Sequence, residues 1–390
     1  GVEDEDVRRW SKMKVRWIPP WIYDLSLKPF SLNVVVGPRQ VGKTTGIKLL
    51  ISKLLENRRP GSIFYFNCDF LPTAEDLRRV LDLYLSIASS HGLKERFIFL
   101  DEVTSVSGWW RAIKGYVDLG RLKNAVVTIS GSSSLRLKGE VELFPGRRGE
   151  GRDVIVLPIS FKEFVKALGF RPKLKENISL YKRELVDYFE QYLKLGGFPL
   201  SVNREARAEE YFLTSIEGEV LRAQRSWQLS KALFTSIFKK APSPLSFSSV
   251  GADMGVSYKT VEDYLELFKR LFVLDLALYR RGGMPVWRKE KKVFLLDPFI
   301  ALTLSHWCGE RFLEAALYEW VVQAHMLRRF GEVFYYRDYY EVDCIAGGLK
   351  VEVKAGKPHR RYPKGVKVLE YEDIPIFLYA LEDSGPLFNK

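Results

Sequence analysis

The sequence predicts an α/β protein of several domains, and three features support this fold class. The first third alternates apolar, strand-like segments with helical segments, a pattern typical of a parallel sheet covered by helices. A mainly helical middle part follows, and the C-terminal part mixes one helix with several short strands. At 390 residues the chain is also long for a single hydrophobic core.

The segments of the first third can be assigned in order. LNVVVG, SIFYFN, RFIFLD and AVVTIS are apolar strands, and TTGIKLLISKLLEN and TAEDLRRVLDLYLSIASS are helices between them. After VIVLPIS the pattern becomes helical, as in FKEFVKALG and LYKRELVDYFEQYLKLGG, which end at glycines. A sheet domain followed by a helical segment is therefore predicted.

The next segment has the outline of a winged helix. A helix and a short helix lead to a tight turn at Gly255, and Ser257 is the predicted N-cap of the longer helix SYKTVEDYLELFKRL. An apolar strand and the basic turn RRGGMPVWRKEKK follow. Lys259, Lys269 and Arg270 are candidate DNA contacts, although winged helices also bind proteins, and both partners stay open.

A phosphate-binding loop is the most specific motif. GPRQVGKTT fits G-x-x-x-x-G-K-[ST], and it lies between an apolar strand and a helix as this motif requires. Its glycines let backbone N–H groups face phosphates at a helix N-terminus. Lys43 would bind the β- and γ-phosphates of ATP, and the Thr44 hydroxyl would ligate Mg²⁺. The predicted nucleotide-binding residues are Gly37, Pro38, Arg39, Gln40, Val41, Gly42, Lys43, Thr44 and Thr45.

Two carboxylates follow the apolar strand RFIFLDEV. Asp101 is predicted to hold Mg²⁺ through water, and Glu102 to orient or deprotonate the attacking water. The structural alternative is a pair that caps a helix. Ser132, after the strand AVVTIS, is a candidate sensor of the γ-phosphate, and it could equally be a turn residue.

A glycine-rich loop carries a group of arginines. LFPGRRGEGRDVIVLPIS contains Arg147, Arg148 and Arg152. We take Arg148 as the candidate arginine finger, acting in the same or a neighbouring subunit. A solvated basic loop is the alternative.

These motifs together resemble one known family. GPRQVGKTT, LDEV with WWRAIK, ISGSSS, PGRR with LPISFKEF, and the later GGFP resemble the archaeal AAA+ ATPases of the P-loop class. In that family an ATPase core precedes a winged helix and a nuclease-like domain. The resemblance implies ATP binding and hydrolysis and a homo-oligomer. ISGSSS carries serines where the family has its sensor asparagine.

The segment EVDCIAGGLKVEVK predicts a hairpin with Gly347 and Gly348 in a two-residue turn. Counting from this turn pairs Cys344 with Val351 and Asp343 with Glu352. Period-two alternation then puts Glu341, Asp343, Glu352 and Lys354 on one face. Two carboxylates directly opposite each other repel, and a divalent cation between them would make the interaction favourable.

The spacing D-x(8)-E-x-K in this hairpin resembles the core of the PD-(D/E)XK nucleases. The resemblance implies that Asp343 and Glu352 ligate Mg²⁺ or Mn²⁺ and that Lys354 positions or activates the hydrolytic water. The family adds a helix glutamate, for which Glu319 is the candidate and Glu314 the substitute. Val342 stands where the family's motif has proline. The alternative is an exposed hairpin with a Glu341–Lys354 ion pair.

The basic residues of the loop that follows the hairpin are candidate phosphate contacts: Lys357, Arg360, Arg361, Lys364 and Lys367.

The domain prediction follows from these segments. Residues 1–158 form the P-loop AAA+ ATPase core and residues 159–228 a helical lid. Residues 229–291 form a winged helix-turn-helix, and residues 292–390 a small α/β restriction-endonuclease-like domain.

Composition limits the function classes. A net charge of +13 favours a polyanionic partner such as DNA, and a basic soluble protein without such a partner is the alternative. The three isolated cysteines exclude a disulfide framework for all of them and suggest no zinc site, and no apolar run reaches transmembrane length. A cytoplasmic ATP-binding and hydrolysing protein that acts on DNA is predicted, with a metal-dependent nuclease-like domain. The alternatives are a nucleotide-controlled switch and a nucleic-acid-binding scaffold with an inactive nuclease fold.

Overall fold

The computed structural model describes residues 4–131, 146–172, 175–354 and 362–381. The chain divides into two compact units, residues 1–157 and 158–390. The N-terminal unit has a parallel sheet and the C-terminal unit a second sheet with helices, so the predicted α/β multidomain class is confirmed. Ser132, Lys357, Arg360 and Arg361 lie outside the described residues.

The N-terminal unit alternates strands and helices as predicted. Its strands are β1 (Ser31–Val36), β2 (Ile63–Asn67), β3 (Arg96–Asp101), β4 (Ala125–Gly131) and β5 (Asp153–Ile155). Its helices are α1 (Glu5–Lys12), α2 (Lys43–Leu55), α3 (Ala74–Ser90) and α4 (Trp109–Asp118), with short 3-10 turns between them.

The strands of this unit form one parallel sheet in the order β2-β3-β4-β1-β5. Because all five strands run the same way, their carboxyl ends lie along one edge. The loop after β1 and the residues that end β3 and β4 therefore meet at that edge. This edge contains the predicted nucleotide site.

The hydrophobic core of the N-terminal unit explains why its strands are apolar throughout. Leu32, Ile98 and Val127 lie on neighbouring strands, and each is almost completely buried. Leu81 of α3 and Trp109 of α4 belong to the same cluster. Central strands of a parallel sheet are covered on both faces, so they lack the polar alternation of a solvent-facing strand.

The C-terminal unit contains most of the helices. They are α5 (Phe161–Ala167), α6 (Lys182–Leu195), α7 (Pro199–Val202), α8 (Ala208–Arg222), α9 (Trp227–Lys240), α10 (Phe247–Met254), α11 (Tyr258–Arg270), α12 (Pro298–Cys308), α13 (Glu314–Phe330) and α14 (Ile374–Leu381). Its strands are β6 (Leu274–Arg281), β7 (Met284–Pro285), β8 (Lys291–Leu295), β9 (Phe334–Arg337), β10 (Glu341–Ala346), β11 (Leu349–Val353) and β12 (Val366–Leu369). Among the described residues, no helix is both long and apolar enough to cross a membrane.

The predicted helix-turn-helix elements are present. Helix α10 ends at Gly255, whose φ of 66° is left-handed, and Ser257 caps α11 by accepting a hydrogen bond from the Thr260 N–H. Strands β6 and β8 then pair as an antiparallel hairpin. Strand β6 also pairs in parallel with β9. The hairpin therefore shares a sheet with the C-terminal strands, and the boundary predicted at residues 291 and 292 lies within this sheet.

The C-terminal sheet has the order β12-β11-β10-β9-β6-β7, with β8 also beside β6. The register of β10 and β11 is the predicted one, with Cys344 opposite Val351. Gly347 and Gly348 have φ values of 55° and 83°, as a two-residue turn of this kind requires. Helix α13 packs against β8, β10 and β11. This packing puts one face of the helix over the hairpin.

A buried histidine joins two helices of the C-terminal unit. His325 on α13 accepts a hydrogen bond at Nε2 from the Phe161 N–H at 3.0 Å, and its Nδ1 lies 2.8 Å from the Val321 carbonyl oxygen. The carbonyl can only accept and the amide can only donate, so the ring is neutral with its proton on Nδ1. Burial, assisted by Arg328, lowers the pKa of His325 to about 3.

Replacing this histidine should change the response of the C-terminal unit to acid. Between the ordinary pKa of 6.5 and about 3, the unfolded chain binds a proton at His325 that the folded chain does not. Stability is therefore lost as the pH falls through this range. We expect His325→Leu to remove this part of the pH dependence and to lower the free energy of unfolding at pH 7 by about 1–3 kcal/mol, because the Phe161 N–H loses its acceptor.

Urea unfolding at pH 7 and pH 5 measures both effects. His306→Leu, which changes the exposed histidine of α12, is the control for loss of a histidine side chain as such. Equal pH dependence in His325→Leu and the parent would contradict the assignment.

Candidate functional sites

The predicted phosphate-binding loop has the required backbone path. Gly42 adopts a left-handed φ of 89° immediately before α2 begins at Lys43. At Gly37 an added Cβ would lie 2.1 Å from the Val156 carbonyl oxygen, so only glycine fits this approach. The loop therefore leads directly into a helix N-terminus, whose free N–H groups favour an anion.

Lys43 is held inside this loop. Its side chain is buried, and Nζ donates to the carbonyl oxygens of Gly37 at 3.0 Å and Pro38 at 2.8 Å. A buried ammonium group whose partners include neutral carbonyls keeps its positive charge available to a phosphate. The position of Lys43 at the first residue of α2 is the one that the motif predicts.

Asp101 is the centre of a hydrogen-bond network at the end of β3. Thr44 donates to its Oδ2 at 2.6 Å, and the Tyr65 hydroxyl donates to the same oxygen at 3.0 Å. Ser130 donates to Oδ1. The structure therefore brings Thr44 and Asp101 together, as predicted for a Mg²⁺ site. Mg²⁺ prefers oxygen ligands such as hydroxyl and carboxylate groups, so Thr44 and Asp101 are of the types that would hold it.

Glu102 lies beside this network in an uncommon backbone conformation. Its φ is 50°, and its N–H donates to Ser130 Oγ at 3.1 Å. Its Oε2 is buried and has no hydrogen-bond partner among the described residues. Burial raises the pKa of Glu102, and Asp101 adds to this, while Lys43 and Arg39 oppose it. A carboxylate with a raised pKa and a free oxygen is suited to accept a proton from water.

Sequence reasoning missed two residues of this site. Tyr65 comes from the centre of β2, where it is one aromatic residue among several, so the sequence carried no signal for its contact with Asp101. Ser130 carried a weak signal, since it is a polar residue near the end of an apolar strand. The predicted sensor Ser132 lies outside the described residues.

The position of Arg148 does not support an arginine finger within the same chain. Its guanidinium pairs with Asp153, and Nη2 lies 3.4 Å from the Leu32 carbonyl oxygen. Leu32 is near the start of β1, whereas the phosphate loop follows its end, on the order of 15 Å away at 3.3 Å per residue. Arg147 pairs with Asp118 on the surface. A finger directed at a neighbouring subunit stays a prediction.

A cluster of carboxylates surrounds one lysine in the C-terminal unit. Lys292 Nζ lies 2.7 Å from Asp343 Oδ1, 2.9 Å from Glu319 Oε1 and 3.1 Å from Glu341 Oε1. The Lys292 side chain is 2% exposed. We call these four residues the Lys292 cluster. Lys292 is the last residue of the predicted basic turn RRGGMPVWRKEKK, and this prediction is wrong for Lys291 and Lys292, which begin strand β8.

Neighbouring residues fix the orientation of the cluster. Gln323, one turn after Glu319 on α13, donates to Glu319 Oε1 at 2.9 Å. The Val353 N–H donates to Asp343 Oδ2 at 2.9 Å. Glu319 is thus the helix glutamate that approaches the hairpin. Glu314, the substitute candidate, instead accepts a hydrogen bond from the Tyr318 hydroxyl.

The other two predicted residues form a second group. Glu352 is completely buried, and its Oε1 lies 2.5 Å from Lys354 Nζ and accepts from the Tyr362 hydroxyl at 3.1 Å. Its Oε2 is buried and has no partner among the described residues. The predicted Glu341–Lys354 ion pair of an exposed hairpin is therefore wrong, because Glu341 contacts Lys292 and Lys354 contacts Glu352.

Burial governs the protonation of both groups. Burial, followed by Asp343, raises the pKa of Glu352 to about 7, although Lys354 and Tyr362 oppose it. Burial and Asp343 also raise the pKa of Glu319 well above its usual range. Burial alone would lower the pKa of Lys292, but its carboxylate partners outweigh burial and hold it well above the ordinary value. Lys292 is therefore a cation in the folded chain.

The Lys292 cluster does not fit the metal site that the nuclease resemblance implies. A Mg²⁺ ion would need carboxylate oxygens at about 2.0–2.1 Å. Glu319 and Asp343 instead direct one oxygen each at the Lys292 ammonium, at hydrogen-bond distance. Within the part of the chain that the structure describes, no group of three or more His, Cys, Asp or Glu side chains is arranged to hold a metal ion. The structure brings the predicted metal ligands Glu319 and Asp343 together, but the Lys292 ammonium group lies between them.

Two family models match the chain. The model described as "AAA domain" matches residues 30–165, which include the phosphate loop, Asp101 and Glu102. A model described as a domain of unknown function, DUF8612, matches residues 186–310. This second match begins in α6 and ends just after α12, so it includes both the helix-turn-helix and Lys292.

Known proteins similar to the chain include one curated relative and several solved structures. An uncharacterized protein from Methanocaldococcus jannaschii is 22% identical, with 93% of this chain and 85% of that protein covered. The Aeropyrum pernix ORC2 protein, solved in ADPNP–ADP complexes, is similar with a TM-score of 0.42 and 12% identity, covering 73% of this chain and 89% of that one. Cdc6p from Pyrobaculum aerophilum is similar with a TM-score of 0.31 and 12% identity, covering 79% of this chain and 98% of that one. The AAA-domain match therefore extends over the phosphate loop, the parallel sheet and both predicted carboxylates of the N-terminal unit.

Proposed function

We propose that the chain is an ATP-binding and ATP-hydrolysing protein that acts on DNA. The observation that carries the ATPase part is the meeting of Lys43, Thr44 and Asp101 at one sheet edge, with Glu102 beside them. Lys43 and Thr44 begin α2, and Asp101 and Glu102 lie at the end of β3. Each is of the type that nucleotide hydrolysis requires at its position.

Each residue has a separate role in this proposal. Lys43 binds the β- and γ-phosphates in place of its present carbonyl partners, and the N–H groups at the start of α2 bind the same phosphates. Thr44 and Asp101 would hold Mg²⁺, which supplies charge neutralisation when bound. Glu102 accepts the proton of the attacking water or orients that water.

The charges of the helix-turn-helix argue against α11 as the DNA-contacting element. Lys259 pairs with Glu262 at 2.9 Å, and Arg270 pairs with Glu266 at 2.7 Å, both within the helix. Lys269 contacts Asp275 at 2.7 Å. Each predicted DNA contact therefore already has an acidic partner, which a phosphate would have to replace.

The hairpin loop between β6 and β8 supports DNA binding better. Met284 is 72% exposed and Trp287 is 69% exposed, although both are large apolar residues. Arg288 and Lys289 are exposed in the same loop. Exposed aromatic residues beside basic ones match bases and phosphates together. We therefore place the DNA contact on this loop, residues 282–290.

The Lys292 cluster bears on the role of the C-terminal unit. The metal-dependent nuclease is the second candidate, favoured by the gathering of Glu319, Asp343 and Glu352. The presence of Lys292 between two of these carboxylates favours the alternative in which the nuclease-like fold binds DNA without cutting it. A nucleotide-controlled switch differs from a motor in that DNA would not stimulate ATP turnover.

The ATPase assignment predicts different effects for two substitutions. Glu102→Gln should retain nucleotide affinity and lower ATP turnover by about 10²–10⁴-fold, because only proton transfer or water orientation is lost. Lys43→Ala should lower both affinity and turnover, since it removes a phosphate contact. Fluorescent-nucleotide titration and phosphate release measure the two quantities. Lys53→Ala, which changes an exposed lysine of the same helix, is the matched control, and equal turnover in Glu102→Gln and this control would exclude the role of Glu102.

The DNA assignment predicts that the hairpin loop matters more than α11. The double variant Trp287→Ala/Arg288→Ala should weaken binding to single-stranded and duplex DNA by about tenfold or more, from lost stacking and lost charge. Lys259→Ala/Lys269→Ala should change affinity by no more than about twofold, because both lysines are paired. Fluorescence anisotropy at fixed salt measures both. A larger loss in the α11 variant would reverse the assignment.

We favour a C-terminal unit that binds DNA without cutting it over a metal-dependent nuclease, and this choice can be tested. Linear, single-stranded and branched DNA should remain uncut by the parent with Mg²⁺ or Mn²⁺, with or without ATP, because Lys292 holds the carboxylates. A gel assay with the parent and Asp343→Ala checks this. Cleavage that the parent performs and Asp343→Ala has lost would put the nuclease first.

A further inference from the structure

The Lys292 cluster contains a complete set of donors and acceptors. A lysine ammonium has three N–H donors and no acceptor. Lys292 Nζ donates to Asp343 Oδ1 at 2.7 Å and to Glu319 Oε1 at 2.9 Å, and Glu341 Oε1 forms an ion pair with it at 3.1 Å. The ammonium group therefore has carboxylate partners from three residues.

The side chain and the backbone of Lys292 are both held in place. Its side chain is almost fully buried, and its backbone lies in the middle of the β6–β8 ladder, where Lys292 is opposite Ala277. The strand is thus fixed on both sides of the residue. Lys291, the neighbouring lysine, is only partly buried, and its Nζ donates to the carbonyl oxygens of Trp287 and Lys289. The two adjacent lysines therefore have different surroundings.

The cluster joins parts of the C-terminal unit that are distant in sequence. Lys292 belongs to the hairpin after the helix-turn-helix, Glu319 to α13, and Asp343 and Glu341 to β10. A charge left in this interior without its partners would be costly. The ion pairs consequently tie the hairpin to the helix and strand that resemble a nuclease core.

From this geometry we infer that Lys292 is the resident cation of the carboxylate cluster, in the place where the nuclease resemblance expects a divalent metal. The inference rests on the nuclease-like interpretation of the C-terminal unit, and it is independent of the ATPase site. The ammonium supplies a positive charge among carboxylates where a metal would otherwise supply it. Unmodified chain therefore binds no divalent metal through Asp343, and removal of the lysine side chain creates a metal site.

Mn²⁺ binding without nucleotide tests the inference directly, with electron paramagnetic resonance reporting free Mn²⁺. The parent chain, Lys291→Ala and Asp343→Asn should give the same titration, since none has a metal site at the cluster. Lys292→Ala should bind Mn²⁺ at least about tenfold more tightly than the parent. The double variant Lys292→Ala/Asp343→Asn should lose this gain, and Mn²⁺ should raise the Tm of Lys292→Ala alone.

Two results would overturn the inference. One is Mn²⁺ binding by the parent that Asp343→Asn abolishes, and this comparison does not require Lys292→Ala to fold. The other is a folded Lys292→Ala, judged by circular dichroism, that gains no Mn²⁺ site. The measurements use no ATP turnover and no DNA, so loss of the proposed function would leave their outcome unchanged.

Discussion

Charged side chains lie inside both units, and Asp101 and Lys292 are each kept there by partners at hydrogen-bond distance. Removing a charge from water costs several kcal/mol unless opposite charges or hydrogen-bond donors replace the water. In the N-terminal unit Asp101 accepts from three hydroxyl groups. In the C-terminal unit Lys292 has three carboxylate partners. Both candidate sites are arrangements that satisfy this requirement.

The two arrangements differ in what they leave available. Around Asp101 the partners are neutral hydroxyls, and Glu102 nearby keeps a carboxylate oxygen without a partner among the described residues. That site is the one at which we propose that a cation and a phosphate bind. Around Lys292 an ammonium group already lies within 2.7–3.1 Å of three carboxylates. The first arrangement suits binding and chemistry, while the second suits the joining of a hairpin to a helix and a strand.

The hairpin of β6 and β8 and the C-terminal strands belong to one sheet. Strand β6 pairs with β8 on one side and with β9 on the other. Helices α10 and α11 and the hairpin that follows them therefore continue into the C-terminal strands β9–β12 without a structural break, and Lys292 is on that hairpin. The family match over residues 186–310 likewise extends across both predicted boundaries, at 228/229 and 291/292.

The sequence by itself determined the features that depend on local geometry. The phosphate loop follows from glycines, a lysine and a threonine within nine residues, because the motif and its strand and helix are contiguous. The hairpin register follows from Gly347 and Gly348, since both residues of the turn require positive φ. The two carboxylates after β3 follow from an apolar strand that ends in Asp101 and Glu102.

Only the tertiary structure decided which distant side chains meet. Tyr65 reaches Asp101 because β2 lies beside β3, and Arg148 lies near the start of β1 because β5 pairs with β1. Lys292 approaches Asp343 because α13 and the sheet bring β8 and β10 to the same buried place. No spacing in the chain encodes these contacts, since each depends on strand order and helix packing. The charge in RKEKK was visible in the sequence, and its burial among carboxylates was a property of the fold.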